Sequence, residues 1–399
     1  MGTASLPLPL ARADRALLFP GVAGFFFVFR AGLTFLFFQQ EPVTGSVMTI
    51  AIGLALAYGA VLYSSEAAAC LPVATRPLRW IAAMLALSLA SVLWSAAQSP
   101  AAALAYWSGM AADVALVLLL LRRGDAERMT EALMQGAVWG AVALAVVGWC
   151  SPATDDLRLG NDAFLHPNTL GLEIGLATLM AQYLARRGSL WKGLGIALAV
   201  TLLRTLSKTA IIAFVVAECW WLMQHREMTR KAKMRLAAVA LVVVASFWGL
   251  LTAYLDAYNS TGSGDQGETL TGRTVLWAAA LSMSLERPWF GHGIYSFKAL
   301  IPAFGSFAAV HAHNEALQQF FEYGAAGLAI AACVYASFYR QVRRAGSSEL
   351  RTLSLSLLIF ALVRGLTDTV SFGLSFPLWL LAALSVCVAR RAAAEAPEA

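Results

Sequence analysis

His311-Ala-His313-Asn314-Glu315 closes a polar stretch that begins near Asp256, and the chain then enters an apolar segment, Ala316 to Tyr339, containing Gly324 and Gly327. Its distal half, Leu328-Ala-Ile-Ala-Ala-Cys-Val-Tyr-Ala-Ser-Phe338, carries no charge. A helix crossing a bilayer needs roughly 17–25 such residues. The junction therefore reads as a long aqueous loop that delivers a histidine to the mouth of a membrane helix.

The rest of the chain agrees with that reading. Of 399 residues, 59% are hydrophobic and 13% are charged, against about 25% charged in a soluble protein. Long apolar runs, rather than alternating apolar and polar residues, favour helices over a β-barrel. About twelve runs are long enough to span, near 16–39, 46–64, 79–97, 104–121, 132–150, 166–185, 189–204, 209–224, 236–255, 315–339, 352–368 and 374–389. The expectation is an all-α polytopic membrane protein. Nine helices fill residues 1–255, a loop with short helices fills 256–314, three helices fill 315–391, and a disordered tail fills 392–399. The first run reads as a retained span rather than a cleaved signal.

Basic residues orient the chain. Most of the 29 lysines and arginines fall before the first run or on alternate loops, including Arg122, Arg123, Arg186, Arg187, Arg230, Lys231, Lys233, Arg343, Arg344, Arg390 and Arg391. By the positive-inside rule those loops are cytoplasmic, as are both termini, and the loop before His313 faces outward. The net charge of +6 is accounted for by these loops and calls for no nucleic-acid partner. Five scattered cysteines, with no Cys-x-x-Cys pair, indicate neither a disulfide framework nor a thiolate metal site.

Eight basic residues break the pattern: Arg30, Arg158, Arg204, Lys208, Arg273, Arg287, Lys298 and Arg364. A charge at membrane depth usually faces a wet cavity or a partner. Arg364 and Asp368 stand four apart, the spacing of a helical ion pair. Arg158, beside Asp155 and Asp156, and Lys298 read as solvated loop charges. Arg204, Lys208, Arg273 and Arg287 gather on the outward side, where guanidinium forks suit phosphate oxygens. An anion anchored at that depth is a lipid-linked phosphate or diphosphate.

His313 is expected in the first turn of its helix, where the positive end of the helix dipole keeps an imidazole neutral and able to take a proton. Such a general base contributes about 10²–10⁴ in rate. Two other readings stand beside it. His311 and His313 could join His292 or Glu315 in a metal site, although the usual i,i+4 spacing is missing. His313 could also serve only as a helix cap. His166 and Asn168, opening the run at 166–185, are candidates for the same pocket, as are His311 and Asn314. Thr271 to Leu285 reads as a short amphipathic helix, and Arg287 to Gly293 as a turn.

His313-Asn314, nine residues, then Gly324-Ala-Ala-Gly327 resembles the signature of the bacterial O-antigen ligase family. Gly291-His-Gly-Ile-Tyr-Ser-Phe297, Leu165-His166-Pro-Asn168 and Leu206-Ser207-Lys208-Thr-Ala210 resemble other segments of that superfamily. The resemblance implies an inverting, metal-independent glycosyltransferase of the integral-membrane, GT-C-like type, without a cofactor. It would move O-antigen from undecaprenyl diphosphate to lipid A–core at the periplasmic face of the bacterial inner membrane. By the same resemblance His313 is the catalytic base and Arg204, Arg273 and Arg287 clamp the diphosphate. Lys208, where an arginine is frequent, supports them, and Arg30 and Arg364 are further donor-binding candidates. A polymerase of O-antigen or exopolysaccharide, or a protein O-oligosaccharyltransferase, would share the donor and differ in the acceptor. A transporter of lipid or polysaccharide would place its charges nearer the bilayer midplane.

Overall fold

The computed structural model describes residues 12–38, 42–65, 74–151, 158–160, 165–224, 229–235, 237–238, 241, 270–302, 309–346, 348–370 and 373–395. Among these residues it is helical throughout, with no strand. The helices are α1 (Arg12–Phe38), α2 (Pro42–Ser65), α3 (Arg76–Ser91), α4 (Pro100–Arg123), α5 (Ala126–Cys150), α6 (Pro167–Leu184), α7 (Ser189–Arg204) and α8 (Lys208–Gln224). There follow α9 (Leu270–Glu286), the short α10 (Phe297–Leu300), α11 (Glu315–Arg344), α12 (Glu349–Gly365) and α13 (Leu378–Ala394). Each expected apolar run is matched by a helix except that at 236–255, of which only 237–238 and 241 are among the described residues. α13 continues three residues past the expected start of the tail, and 396–399 are outside the description.

Local chemistry starts these helices. Thr75, Ser99, Asp125 and Ser348 each accept a backbone N–H of the first turn, and Pro77, Pro100 and Pro167 lie at the first or second position. Both devices satisfy or remove donors that have no partner inside a helix. Among the described residues six helices, α1 to α5 and α11, are long and apolar enough to cross a membrane. α7, α8, α12 and α13 have 16 or 17 residues. At about 1.5 Å per residue they reach about 25 Å, a little under a hydrocarbon core of about 30 Å.

α1 and α5 pack backbone to backbone. A Cβ on Gly24 would strike the carbonyl of Leu133, and one on Gly136 the carbonyl of Gly21. Small residues drive such approaches where lipid removes the hydrophobic advantage of larger ones. α6 and α13 are buried along most of their length and form the centre of the bundle.

Ion pairs mark one end of the bundle. Arg123 donates to the carbonyl of Tyr63. Glu131 takes both Arg186 and Arg187, the latter at 2.7 Å. Arg186 also reaches Glu349 at 3.7 Å, and Arg391 reaches Glu127 at 3.5 Å. The end of α4, the start of α5, the end of α6, the start of α12 and the end of α13 therefore meet there. The opposite ends of α6 and α12, with the starts of α8 and α11, meet around His313.

Candidate active site

His313 lies one residue before the N-cap of α11, not in its first turn. Asn314 is the cap: its Oδ1 accepts Leu317 N–H at 3.0 Å and its Nδ2 donates to the Leu366 carbonyl at 2.9 Å. One residue thus starts α11 and ties it to the end of α12. His313 takes a left-handed conformation, φ 48°, uncommon for a residue with a Cβ. The conformation is enforced locally. His311 Nδ1 accepts the His313 N–H at 3.3 Å. The intervening Ala312, fully buried, donates to Gln318 Oε1 at 2.7 Å and accepts from Trp277 Nε1 at 2.8 Å. The amphipathic helix expected over 271–285 is α9, and Trp277 is how it grips the loop.

The loop aims His313 at Asp368. Nδ1 of His313 lies 3.1 Å from Asp368 Oδ1, and Nη2 of Arg364 lies 2.9 Å from Oδ2. Asp368 and Arg364 are each 1% exposed. Burial works to raise the Asp368 carboxyl, but Arg364 and the hydrogen bond from His313 outweigh it and hold it well below the usual carboxylate range. A carboxylate only accepts, so the imidazole proton sits on Nδ1 and the lone pair is on Nε2. His311, its ring centroid 4.2 Å from that of His313, is pushed down to about 3 by burial and by the His313 ring, and is neutral. The Arg364–Asp368 pair was legible as an i,i+4 spacing. Its grip on His313, across 55 residues of chain, was not.

Cations assemble next to this triad. His166 caps α6 by accepting Asn168 N–H at 3.2 Å, and lies within electrostatic reach of His311. The buried Asn168 Oδ1 accepts both Arg158 Nη2 at 2.8 Å and Ser207 Oγ at 2.9 Å. Arg158 also donates to the Thr205 carbonyl at 3.4 Å. It is therefore not the solvated loop charge expected from its neighbours. It joins the start of α6 to the turn between α7 and α8, where Arg204 closes α7 and Lys208 opens α8. Lys208 is within electrostatic reach of Arg158 and Arg273. Arg273, in the first turn of α9, donates to the Thr367 carbonyl at 2.6 Å, one residue from Asp368.

Two expected members lie elsewhere. Arg287 follows the far end of α9, about 20 Å from Arg273 at 1.5 Å per residue, and is exposed. Arg30 forms a two-pronged pair with Asp113 of α4, at 3.0 and 2.5 Å. Glu173 of α6 lies within electrostatic reach of both Arg30 and Arg364.

The metal reading also changes. His292 has its Nε2 2.9 Å from the Met283 carbonyl and its ring against Phe321. Glu315 accepts from Tyr335 Oη at 2.5 Å and Ser375 N at 2.8 Å. Neither joins His311 and His313. Among the described residues, the group with metal-compatible donors is instead His311, His313 and Asp368, whose ligand atoms lie within 4.8 Å of one another. It fits a metal poorly, because Asp368 already accepts from Arg364, from His313 and from Thr369 N–H at 2.9 Å. A guanidinium bound to the same carboxylate repels a second cation.

The glycines of the motif have a separate task. Gly324 breaks α11 with φ 64°. The Arg287–Gly293 turn packs into the break: Ala325 N–H bonds the Pro288 carbonyl at 2.7 Å, and Gly293 N–H bonds the Glu322 carbonyl at 2.8 Å. A Cβ on Gly324 would strike the backbone of Trp289. Residues 193–332, from α7 through this break, match the family model described as O-antigen ligase.

The chain carries an O-antigen ligase family domain.

The domain contains His311, His313, Lys208, Arg273 and both motif glycines, while Arg158, His166 and Asp368 lie outside the matched segment. The chain is 25% identical over 292 residues to the exopolysaccharide production protein ExoQ of Rhizobium meliloti, covering 68% of this chain and 66% of that protein. It is 26% identical over 171 residues to an O-antigen ligase of Pseudomonas aeruginosa, covering 43% of this chain and 39% of that protein. In both cases the chain spans less than two thirds of the relative's own length.

Proposed function

We propose that this protein is an O-antigen ligase, an integral-membrane glycosyltransferase that moves O-antigen polysaccharide from undecaprenyl diphosphate to a sugar of lipid A–core. The reading places it in the bacterial inner membrane with about twelve spans, both termini cytoplasmic and the His313 end periplasmic. The observation that carries it is the juxtaposition of the carboxylate-backed His313 with Arg158, Lys208 and Arg273, of which His313, Lys208 and Arg273 lie in the segment that matches the family.

In this mechanism the acceptor hydroxyl gives its proton to His313 Nε2 as its oxygen bonds to the anomeric carbon. The bond from that carbon to the diphosphate oxygen breaks, with inversion. The polyprenyl diphosphate leaves unprotonated, its charge met by Arg158, Arg204, Lys208 and Arg273. Asp368 stabilises the imidazolium formed, as a buried carboxylate does behind a catalytic histidine. No metal is required, because cationic side chains occupy the place where a divalent ion would neutralise the leaving group. Transfer that survives chelation supports this; loss in chelator restored by a divalent ion contradicts it.

The alternative is a polymerase of exopolysaccharide or O-antigen. It is favoured by the exopolysaccharide production protein, whose similarity covers 68% of this chain. Deleting the gene and running lipopolysaccharide on a gel separates the two. Loss of all capped lipopolysaccharide supports the ligase. Survival of a single-repeat rung overturns it in favour of the polymerase.

A further inference from the structure

At the bundle end opposite His313, α8 finishes and α12 begins. A cavity of about 400 Å³ lies between them, lined also by Lys233 of the described residues 229–235. Lys233 and Arg351 line it with the hydroxyls of Ser348 and Thr352, over a floor containing Met223 and Leu355. Two cations face one small space with no carboxylate among its described lining residues, which suits an anion.

The donors are in place. Lys233 Nζ donates to the Met223 carbonyl at 2.6 Å, which fixes the ammonium at the rim and leaves further N–H bonds to give. Arg351 Nη1 touches the Ala345 carbonyl at 3.5 Å, a long contact that occupies one of five guanidinium donors. Ser348 accepts Arg351 N–H at 3.2 Å, so its own hydroxyl hydrogen points elsewhere. The opening also has an apolar side: Met223 is 52% exposed, and Val216, two turns back along α8, is 41% exposed. An acyl chain can lie along that face while its headgroup enters the cavity.

We infer that this cavity binds a phosphate monoester or diester, and that its occupant is the headgroup of an anionic phospholipid. Basic pockets between membrane helices take such headgroups. A bound headgroup would cross-link the distal ends of α8 and α12. The near ends of the same helices carry Lys208 and the Arg364–Asp368 pair, so occupancy holds the two sides of the reaction site at a fixed spacing. The inference concerns binding and does not depend on which glycan is transferred.

The test uses the full chain in nanodiscs of phosphatidylcholine, with and without phosphatidylglycerol. Native mass spectrometry reads the lipid retained after detergent extraction. The wild type should retain phosphatidylglycerol over phosphatidylcholine, and the Lys233→Gln/Arg351→Gln variant should lose that preference roughly tenfold. An Arg344→Gln variant, outside the cavity, should keep it. Equal thermal unfolding of all three in phosphatidylcholine shows that the double variant folds. Inorganic phosphate that displaces the lipid and raises the unfolding temperature of the wild type alone supports the anion site and names free phosphate as a second occupant. Equal retention by wild type and double variant overturns the proposal.

Discussion

His313 and Asp368 face each other at 3.1 Å across the gap between the loop before α11 and the loop after α12. The far oxygen of Asp368 is held at 2.9 Å by Arg364. The ring orientation is therefore fixed from one side by Asp368 and from the other by the His311 contact to the His313 backbone.

Asp368→Asn tests what the carboxylate supplies. An amide presents either a donor or an acceptor to Nδ1 and no charge, so the tautomer is no longer enforced and the imidazolium is no longer stabilised. Transfer by the purified protein should fall about 10²–10⁴-fold. Asp368→Ala should also destabilise the fold by roughly 3–5 kcal/mol, because it strands a buried guanidinium. Near-normal turnover in a folded Asp368→Asn protein would remove the carboxylate from the mechanism.

The cation cluster predicts a split between arginines that composition alone does not distinguish. Arg158→Gln and Arg273→Gln should each raise the KM for the lipid diphosphate donor while leaving that for the acceptor close to wild type. Arg287→Gln should leave both unchanged, since Arg287 stands at the far end of α9. Steady-state kinetics with varied donor decide it. A donor defect in Arg287→Gln, with none in Arg158→Gln, would reverse the assignment.

His311 sets a pH dependence of stability. Its folded value is about 3, below an unfolded value of about 6.5. Between these the unfolded chain binds more protons, so the fold loses stability as pH drops below about 6.5, by at most ~1.4 kcal/mol per pH unit from this group. His311→Asn, which keeps an acceptor for the His313 N–H, should flatten that slope. Thermal unfolding midpoints in detergent at pH 7 and pH 5 measure it, and parallel slopes would contradict the account.

Gly324→Ala should weaken the fold by about 1–3 kcal/mol, through a left-handed φ that a Cβ resists and a clash with the backbone of Trp289. The effect belongs to docking of the Arg287–Gly293 turn. Residual activity per folded molecule should therefore fall less than the folded yield. A wild-type unfolding midpoint would show that the break in α11 is not needed.

The helices were legible because their signals are local: apolar length, Pro and Ser at the starts, arginines at the ends. Arg123, Arg186 and Arg391 sort to one end of the bundle as their spacing implied. His313 and Lys208 were legible as charged or titratable groups at the ends of apolar runs. Asp368 was seen only as a helical partner of Arg364, because a contact 55 residues away leaves no periodic trace. Arg158 was misread because Asp155 and Asp156 stand beside it in sequence, whereas folding gives it to Asn168 and Thr205. Arg287 was overread for the converse reason. It shares a loop with Arg273, but a rigid helix carries the two apart.

The central claim is that His313 Nε2 accepts the acceptor's proton while the cation cluster takes the diphosphate. Single-turnover transfer by purified His313→Ala, with lipid diphosphate donor and acceptor lipid both saturating and a chelator present, tests it most directly. The account predicts donor binding close to wild type and glycosidic product formed at least about 10²-fold more slowly. Wild-type product formation by a folded His313→Ala protein would contradict it.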